Sequence, residues 1–524
     1  MHHLLQQKKK IFLAAFVLLV IVLAFFLRAV NIDTVPAGIY PDEAVNGMNA
    51  VDANATGTYP WFYPDNNGRE GLFINLIAFS FKAFGISILT LKLPAIIIST
   101  LVVLGVYFLT RELFYSRPRI ALIAAFLTAT SYWAINFARI AFRANMLPLV
   151  LVFSFFFLFR GVRTGKMYNY ALAGFIFGLG MHTYISFRIA PLILIMLAAA
   201  FILSYDAFLK RYWRAMVLFI CAAILSAAPI LWTFSAHPEY ISSRTASISI
   251  LSPDVNQGHI AATLLHTITL SIAKYNVWGD QNWRHNYPPY PLLDPISGTL
   301  FAIGIFLSAI SFVRFLIARI RSKEKNHRLI IHTFLLAWFS AMLVPEFMTI
   351  EGLPHALRAI GTLPVVFILA AFAADAIIVR AYRFPKEFAT LVTTLIVLAL
   401  LVSGISNSVK YHVYFARNVQ MAHAFNKNLT DIGRALGAFP QATEKYVIAG
   451  PLERLPIRLL NTDVPHVIYV YPHEQGDLIR PKGPFVIILT ERNDALIAQL
   501  RMRFPQLQLT DMRNPLESVF YVLH

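Results

Sequence analysis

Eleven long apolar blocks punctuate the chain, near 11–29, 92–114, 119–136, 145–161, 168–183, 189–205, 215–234, 297–316, 329–346, 362–379 and 388–406. A helix that crosses a bilayer needs roughly 20 mostly apolar residues, so each block predicts a span. The first block follows Lys8, Lys9 and Lys10, and no small-residue cleavage site follows before Pro36. It therefore reads as a retained anchor rather than a signal peptide. Two of the polar stretches between blocks are long, about 30–91 and 235–296, and a polar tail begins near 407. In the tail Phe425, Leu429, Ile432 and Leu436 recur at helical spacing. β-rich runs follow at 445–449, 466–471, 485–490 and 518–523, with a second amphipathic helix expected over 492–503.

Basic residues alternate by side. Lys8–Lys10 fall in one set of connections with Arg111, Arg117 and Arg119, then Arg160, Arg163 and Lys166, then Lys210, Arg211 and Arg214. The set continues through Arg314, Arg319, Arg321, Lys323, Lys325 and Arg328 to Arg380, Arg383 and Lys386. The long polar stretches belong to the other, sparsely basic set. Basic loops stay cytoplasmic, which places the N-terminus in the cytoplasm, and eleven spans then place the tail outside. The expected organisation is a multi-pass module over 1–406 in the cytoplasmic membrane, and an extracytoplasmic α/β domain over 407–524.

Composition agrees. Hydrophobic residues make up 57% of the 524 positions and charged residues 14%, with a mean hydropathy of +0.61. That excludes a disordered chain, a coiled coil and a typical cytosolic enzyme. The net charge of +18 is mostly topological, so no nucleic-acid partner is expected. Cys221 stands alone, which rules out an intrachain disulfide and a cysteine-based zinc site. Gly161-Val-Arg-Thr-Gly165-Lys166 is one residue short of a phosphate loop and lacks its Ser/Thr; it reads as a basic turn.

Chemistry concentrates in the first long loop. It reads Pro36-Ala-Gly-Ile-Tyr-Pro-Asp42-Glu43-Ala, then Asn66-Asn-Gly-Arg69-Glu70-Gly-Leu-Phe73. Pro41 suits the first turn of a helix, which sets Asp42 and Glu43 at its positive end. Local physics alone divides evenly between helix-start stabilisation and a functional pair. The stretch 36–73, with Gly85 and Lys92-Leu-Pro94, resembles the amino-terminal signature of GT-C glycosyltransferases, in the branch of protein O-mannosyltransferases and lipid A aminoarabinose transferases. Three later segments are similar to outer junctions of that family: Arg139-Ile-Ala-Phe-Arg143-Ala-Asn-Met-Leu-Pro148, His182-Thr-Tyr184-Ile-Ser-Phe-Arg188 and Gly352-Leu-Pro-His355-Ala-Leu-Arg358. All fall on the sparsely basic side, and the resemblance covers roughly 10–406.

The resemblance implies a mainly α GT-C fold of about eleven transmembrane helices, with juxtamembrane helices in the outer loops. It also implies a donor sugar carried on polyprenyl phosphate and an acceptor protein, lipid or glycan. Asp42 matches the family's catalytic acidic position, whose carboxylate is expected to act as general base in an inverting displacement. Glu43 is expected to assist, to position the acceptor or to bind a metal. Arg69 matches a basic position linked to lipid phosphate, and Arg139, Arg143, Arg188 and Arg358 are its companions. Singly, each arginine is more simply an interfacial side chain snorkelling to head groups; five in motifs on one side are not. His182, Tyr184 and His355 are candidates for sugar or acceptor. Glu70 resembles a metal-coordinating position, but the third-to-fourth-span junction carries Asn136 and no Asp or Glu. The expectation is no required cofactor, with a divalent metal as the alternative. Asp375, within a span, is expected to make an inter-helix hydrogen bond. The rival functions are a lipid-linked-sugar transporter, which expects repeats and midplane charges, and an en bloc oligosaccharyltransferase.

Overall fold

The computed structural model describes residues 2–242, 249–322, 326–474 and 478–524; Lys323 and Lys325 of the basic set lie outside them. The chain is mainly helical and forms two compact units. The first contains Met1–Val30, Trp61–Phe73 and Ala95–Tyr411; the second contains Asn31–Pro60, Ile74–Pro94 and His412–His524. The units thus do not follow chain order: two parts of the first long loop cluster with the tail.

The first unit is a membrane bundle. Among the described residues nine helices are long and apolar enough to cross a bilayer, and ten if one bent pair counts as a span. These include α1 (His2–Ala29), α4 (Ile88–Leu113), α7 (Met146–Thr164), α9 (Pro191–Ser204, part of a 20-residue span that begins with the 3-10 turn at Ile185) and α10 (Phe208–Ala236). Four later helices, Pro295–Ser322, His327–Phe347, Leu363–Ala381 and Lys386–Val409, complete the nine. The bent pair is α5 (Pro118–Thr130) with α6 (Tyr132–Ala138), which meet at 55°. The fifth expected span, 168–183, falls short on length. It is α8 (Met167–Leu179), whose 13 residues reach about 20 Å, plus a 3-10 turn Gly180–His182. Glycine brings this short helix against α10: a Cβ on Gly174 or Gly178 would sit 2.0 Å from the Phe219 or Ala223 carbonyl oxygen. Small residues four apart allow such close backbone approach in membranes.

Two buried arginines hold the bend. The end of α5 leaves carbonyls without helical partners. Arg28, fully buried, donates from Nη1 to the Ala129 carbonyl (2.9 Å) and from Nη2 to that of Thr128 (3.2 Å). Ser131 then caps α6 by accepting from the Ala134 amide. Arg139, at the far end of α6, donates to the Leu27 and Arg28 carbonyls that end α1. Asp375 also proves more than a hydrogen-bonding residue: buried in Leu363–Ala381, it pairs with Arg117 and Arg119 at 3.2 Å each.

The second unit is built on a five-stranded mixed sheet of order β4-β3-β5-β7-β6. Its strands are β3 (Glu444–Ile448), β4 (Val467–Val470), β5 (Phe485–Leu489), β6 (Leu509–Arg513) and β7 (Val519–Leu523). β4, β3 and β5 run parallel, while β7 pairs antiparallel with β5 and with β6. Alternation along the strands divides the core. Tyr446, Ile448, Ile487 and Leu489 meet Leu496, Ile497 and Leu500 of helix Asp494–Arg503 on one face. Val447, Val486 and Ile488 meet Leu429, Ile432 and Leu436 of helix Lys427–Leu436 on the other. The four expected runs and both helices are present; β6, whose sequence Leu-Thr-Asp-Met-Arg carries no apolar alternation, was not expected.

Candidate active site

In the second unit, α2 (Pro41–Thr56) begins with Pro41 in its first turn, after an extended Tyr40 that offers no side-chain cap. The preceding strand of chain is pinned to the tail. The Ile39 amide donates to Thr430 Oγ1 (2.9 Å), the Ala37 amide contacts Met421 Sδ, and Tyr40 packs edge-on against Phe425. Gly38 is required there, since a Cβ would lie 2.3 Å from the Phe425 carbonyl oxygen. This docking fixes where α2 starts and so where its acidic pair sits. The two carboxylates then part company. Asp42 is exposed, whereas Glu43 is fully buried and faces the equally buried Lys92 ammonium at 3.9 Å. An exposed carboxylate at a helix N-terminus is open to an acceptor, and a buried one in an ion pair is not. Glu43, expected to assist, to position the acceptor or to bind a metal, is thus found buried beside an ammonium, apart from the exposed Asp42.

In the first unit, β1 (Phe62–Tyr63) and β2 (Arg69–Glu70) form a small hairpin. Its turn takes left-handed backbone at Asn66, Asn67 and Gly68 (φ 50°, 64° and 79°), residue types that tolerate it. The hairpin presents Arg69 and Glu70 as neighbours. Arg69 is buried and donates to the Asp65 carboxylate at 3.0 Å. Glu70 binds Arg143 Nε, and the Arg143 guanidinium also lies 5.7 Å from the Tyr184 ring centre. His182, buried beside Trp61, shares a hydrogen bond with the Ser226 carbonyl at 2.9 Å. The structure thus brings Arg69, Glu70 and Arg143 together with Tyr184. The Glu70 carboxylate, expected as a possible metal ligand, is engaged here by the Arg143 guanidinium.

The remaining candidates separate. Arg139, expected as a phosphate companion, is fully buried and donates to the carbonyls that end α1. Arg188 donates to the Ile241 carbonyl (3.1 Å) and lies over Phe234. Arg358 is held by Glu351 and by Thr349 Oγ1, at 2.7 and 2.6 Å. His355 belongs to a different constellation, with Asp280 and His285, which sequence reasoning missed. His285 Nδ1 lies 3.1 Å from Asp280 Oδ2, and the His285 and His355 rings are 4.8 Å apart. One ligand-type atom from each of the three falls within 4.8 Å of the others. Beside them Lys274 and Glu346 form a buried ion pair, and burial lowers the Lys274 ammonium from its usual range against the pull of that carboxylate. The Asp-x4-His spacing of 280 and 285 was visible, but nothing in the sequence joined it to 355. Asn136, where an acid was absent, donates to the Arg284 carbonyl in this same loop (2.9 Å).

An apolar cavity of about 190 Å³ lies among Leu158, Val162, Leu197, Phe201 and Phe219. Leu158 and Val162 are in the last turns of α7, roughly 25 Å along the helix from Arg143. It is therefore remote from the charged cluster.

The architecture is the GT-C fold, carried by a multi-pass membrane protein, and the resemblance read from the motifs is borne out. The structure is similar to that of ArnT from Cupriavidus metallidurans bound to undecaprenyl phosphate, with 13% identity, 98% of each chain covered and a TM-score of 0.52. It is similar to the apo form of the same protein at 12% identity, 98% of each chain and a TM-score of 0.55. The family model of dolichyl-phosphate-mannose-protein mannosyltransferases matches residues 72–232. That range holds Arg143, His182, Tyr184 and Arg188, while Asp42 and Arg69 precede it and His355 and Arg358 follow it. No curated protein matches the chain.

Proposed function

We propose that the chain is a glycosyltransferase that moves a sugar from a polyprenyl-phosphate carrier to an acceptor at the outer face of the cytoplasmic membrane. The observation that carries the reading is the exposed Asp42 at the start of α2, in a GT-C fold, beside a Glu43 withdrawn into an ion pair. Asp42 accepts the proton of the acceptor hydroxyl or amine as that group attacks the anomeric carbon. The bond from that carbon to the carrier phosphate breaks on the opposite side, so configuration inverts and polyprenyl phosphate leaves. Growing negative charge on the phosphate calls for preorganised cations. Arg69, in β2, and Arg143, which binds the adjacent Glu70, are the proposed pair, with Arg188 and Arg358 as outer companions. Tyr184 and His182 stand beside the first two as sugar or acceptor contacts. None of these steps is routed through a metal. In this reading the N-terminus is cytoplasmic and the tail outside, an orientation supported by the cytoplasmic preference of the basic connections.

The test uses purified protein in lipid, a panel of radiolabelled polyprenyl-phosphate sugars and an envelope extract. Wild type should transfer label, and Asp42→Asn should lose about 10²–10⁴-fold in rate. Equal transfer by both would remove Asp42 as the base. Lack of transfer by wild type across the whole panel, joined to carrier translocation in vesicles, would replace the enzyme reading with a transporter.

A further inference from the structure

We propose that Asp280, His285 and His355 bind a divalent transition-metal ion of the zinc class, which staples two loops of the first unit. The ligands come from separate segments. Asp280 and His285 belong to the long stretch that precedes helix Pro295–Ser322; His355 follows helix His327–Phe347. Each segment is anchored by its backbone. The Leu292 amide donates to the Lys274 carbonyl (2.8 Å) and closes the first loop on itself. The Ala356 amide donates to Asp280 Oδ2 (2.7 Å), and the His355 amide to Glu346 Oε1 (2.9 Å). These bonds hold the second loop against the first. Asp280 and His285 are 1% and 5% exposed, and the His285 ring stacks on Phe137. Two of the three ligands are thus rigid before any ion arrives.

Distances suit the chemistry. Ligand atoms about 2.0–2.1 Å from a tetrahedral zinc stand roughly 3.3 Å from one another. Asp280 Oδ2 and His285 Nδ1 are 3.1 Å apart, close to that edge. His355, half-buried, completes the set within 4.8 Å, so a side-chain movement of about 1.5 Å closes the triangle. Two imidazoles and one carboxylate favour zinc, iron(II) or manganese over calcium and magnesium, which prefer oxygen alone. Three protein ligands leave one position for water. The bland alternative is an Asp–His hydrogen bond with a second histidine packed on it. That alternative leaves metal without effect on the protein, so the two readings separate experimentally.

The full chain, purified in lipid with a histidine-free tag, is stripped with chelator and dialysed against metal-free buffer. Zinc, iron(II) or manganese is then added alone, and bound metal and thermal midpoint are measured. Wild type should retain about one ion per chain and gain thermal stability. His355→Gln, a change at a half-buried position that spares the Asp280–His285 contact, should lower affinity at least tenfold and lose the thermal gain. His285→Gln should do the same, and His266→Gln, at an exposed site outside the triad, should behave as wild type. Absence of a retained ion with all three metals, or equal retention by His355→Gln, would overturn the proposal. Neither readout depends on sugar transfer, so the outcome is independent of the proposed reaction.

Discussion

Glu43 and Asp42 are adjacent in the chain, yet the structure gives their removal different consequences. Glu43 and Lys92 are both fully buried and 3.9 Å apart. At an effective dielectric of about 20 their attraction is about 332/(20 × 3.9), or roughly 4 kcal/mol. Deleting one charge of a buried pair leaves the other desolvated and typically costs about 3–5 kcal/mol. For a unit of this size, each kcal/mol moves the thermal midpoint by about 2–4 °C. Glu43→Gln should therefore melt about 6–20 °C lower, and Lys92→Met similarly. A double variant with both groups made apolar, Glu43→Leu with Lys92→Met, should recover most of the loss, because an apolar replacement of a whole buried pair is close to neutral. Asp42→Asn removes one exposed charge at a helix N-terminus, worth about 0.3–1 kcal/mol, and should hardly shift the midpoint while it abolishes transfer. Thermal unfolding in lipid, beside transfer rates taken well below every midpoint, reads both axes. A Glu43→Gln protein that melts with wild type but transfers no sugar would refute this division and make Glu43 the reacting carboxylate.

Other expectations follow from single contacts. Arg139→Gln leaves the Leu27 and Arg28 carbonyls without their donor, about 1–3 kcal/mol each. It should lower folded yield and thermal midpoint without a selective rise in donor KM, and a KM effect alone would return Arg139 to the phosphate site. Gly38→Ala sets a Cβ 2.3 Å from the Phe425 carbonyl oxygen, so it should cost at least about 1–3 kcal/mol and impair transfer by displacing α2; both are read on the purified variant. Glu444 is held below the usual carboxylate value of 4.5, chiefly by the Tyr446 hydroxyl (2.7 Å) and then by the Lys482 amide. A depressed carboxylate contributes stability above its unfolded pKa and loses it as pH falls through the folded one. Amide protection in β3, corrected for intrinsic exchange, should therefore weaken below about pH 4.5 in wild type and less so in Tyr446→Phe. Cysteine labelling on a Cys221→Ser background should find residues 40–70 and 410–520 outside, and residues 318–328 inside.

Periodicity carried the architecture because bilayer spans and alternating strands leave long, regular signals. It failed where the signal is short or the role is relational. The span at α8 is abbreviated, and its packing depends on Gly174 and Gly178, which count for little in a hydropathy window. The break at Ser131 between α5 and α6 is invisible to hydropathy as well, since both halves are apolar. The site shows the same limit more sharply. Motif matching singled out Asp42 and Arg69 and set Glu43 and Arg139 beside them, because a motif records residue types and not burial. Only tertiary structure shows that Glu43 faces a buried lysine and that Arg139 caps α1. Lys92 stood in the sequence as part of a family signature, with no stated role; its partner lies 49 positions upstream, beyond any local rule. The same physics explains why the Asp280–His285–His355 group escaped notice. His355 lies 70 positions beyond His285, with two spans between them, and tertiary folding rather than spacing brings them together. Within one loop signature, then, charge identity marks where to look, and burial separates the exposed Asp42 from a Glu43 held beside an ammonium.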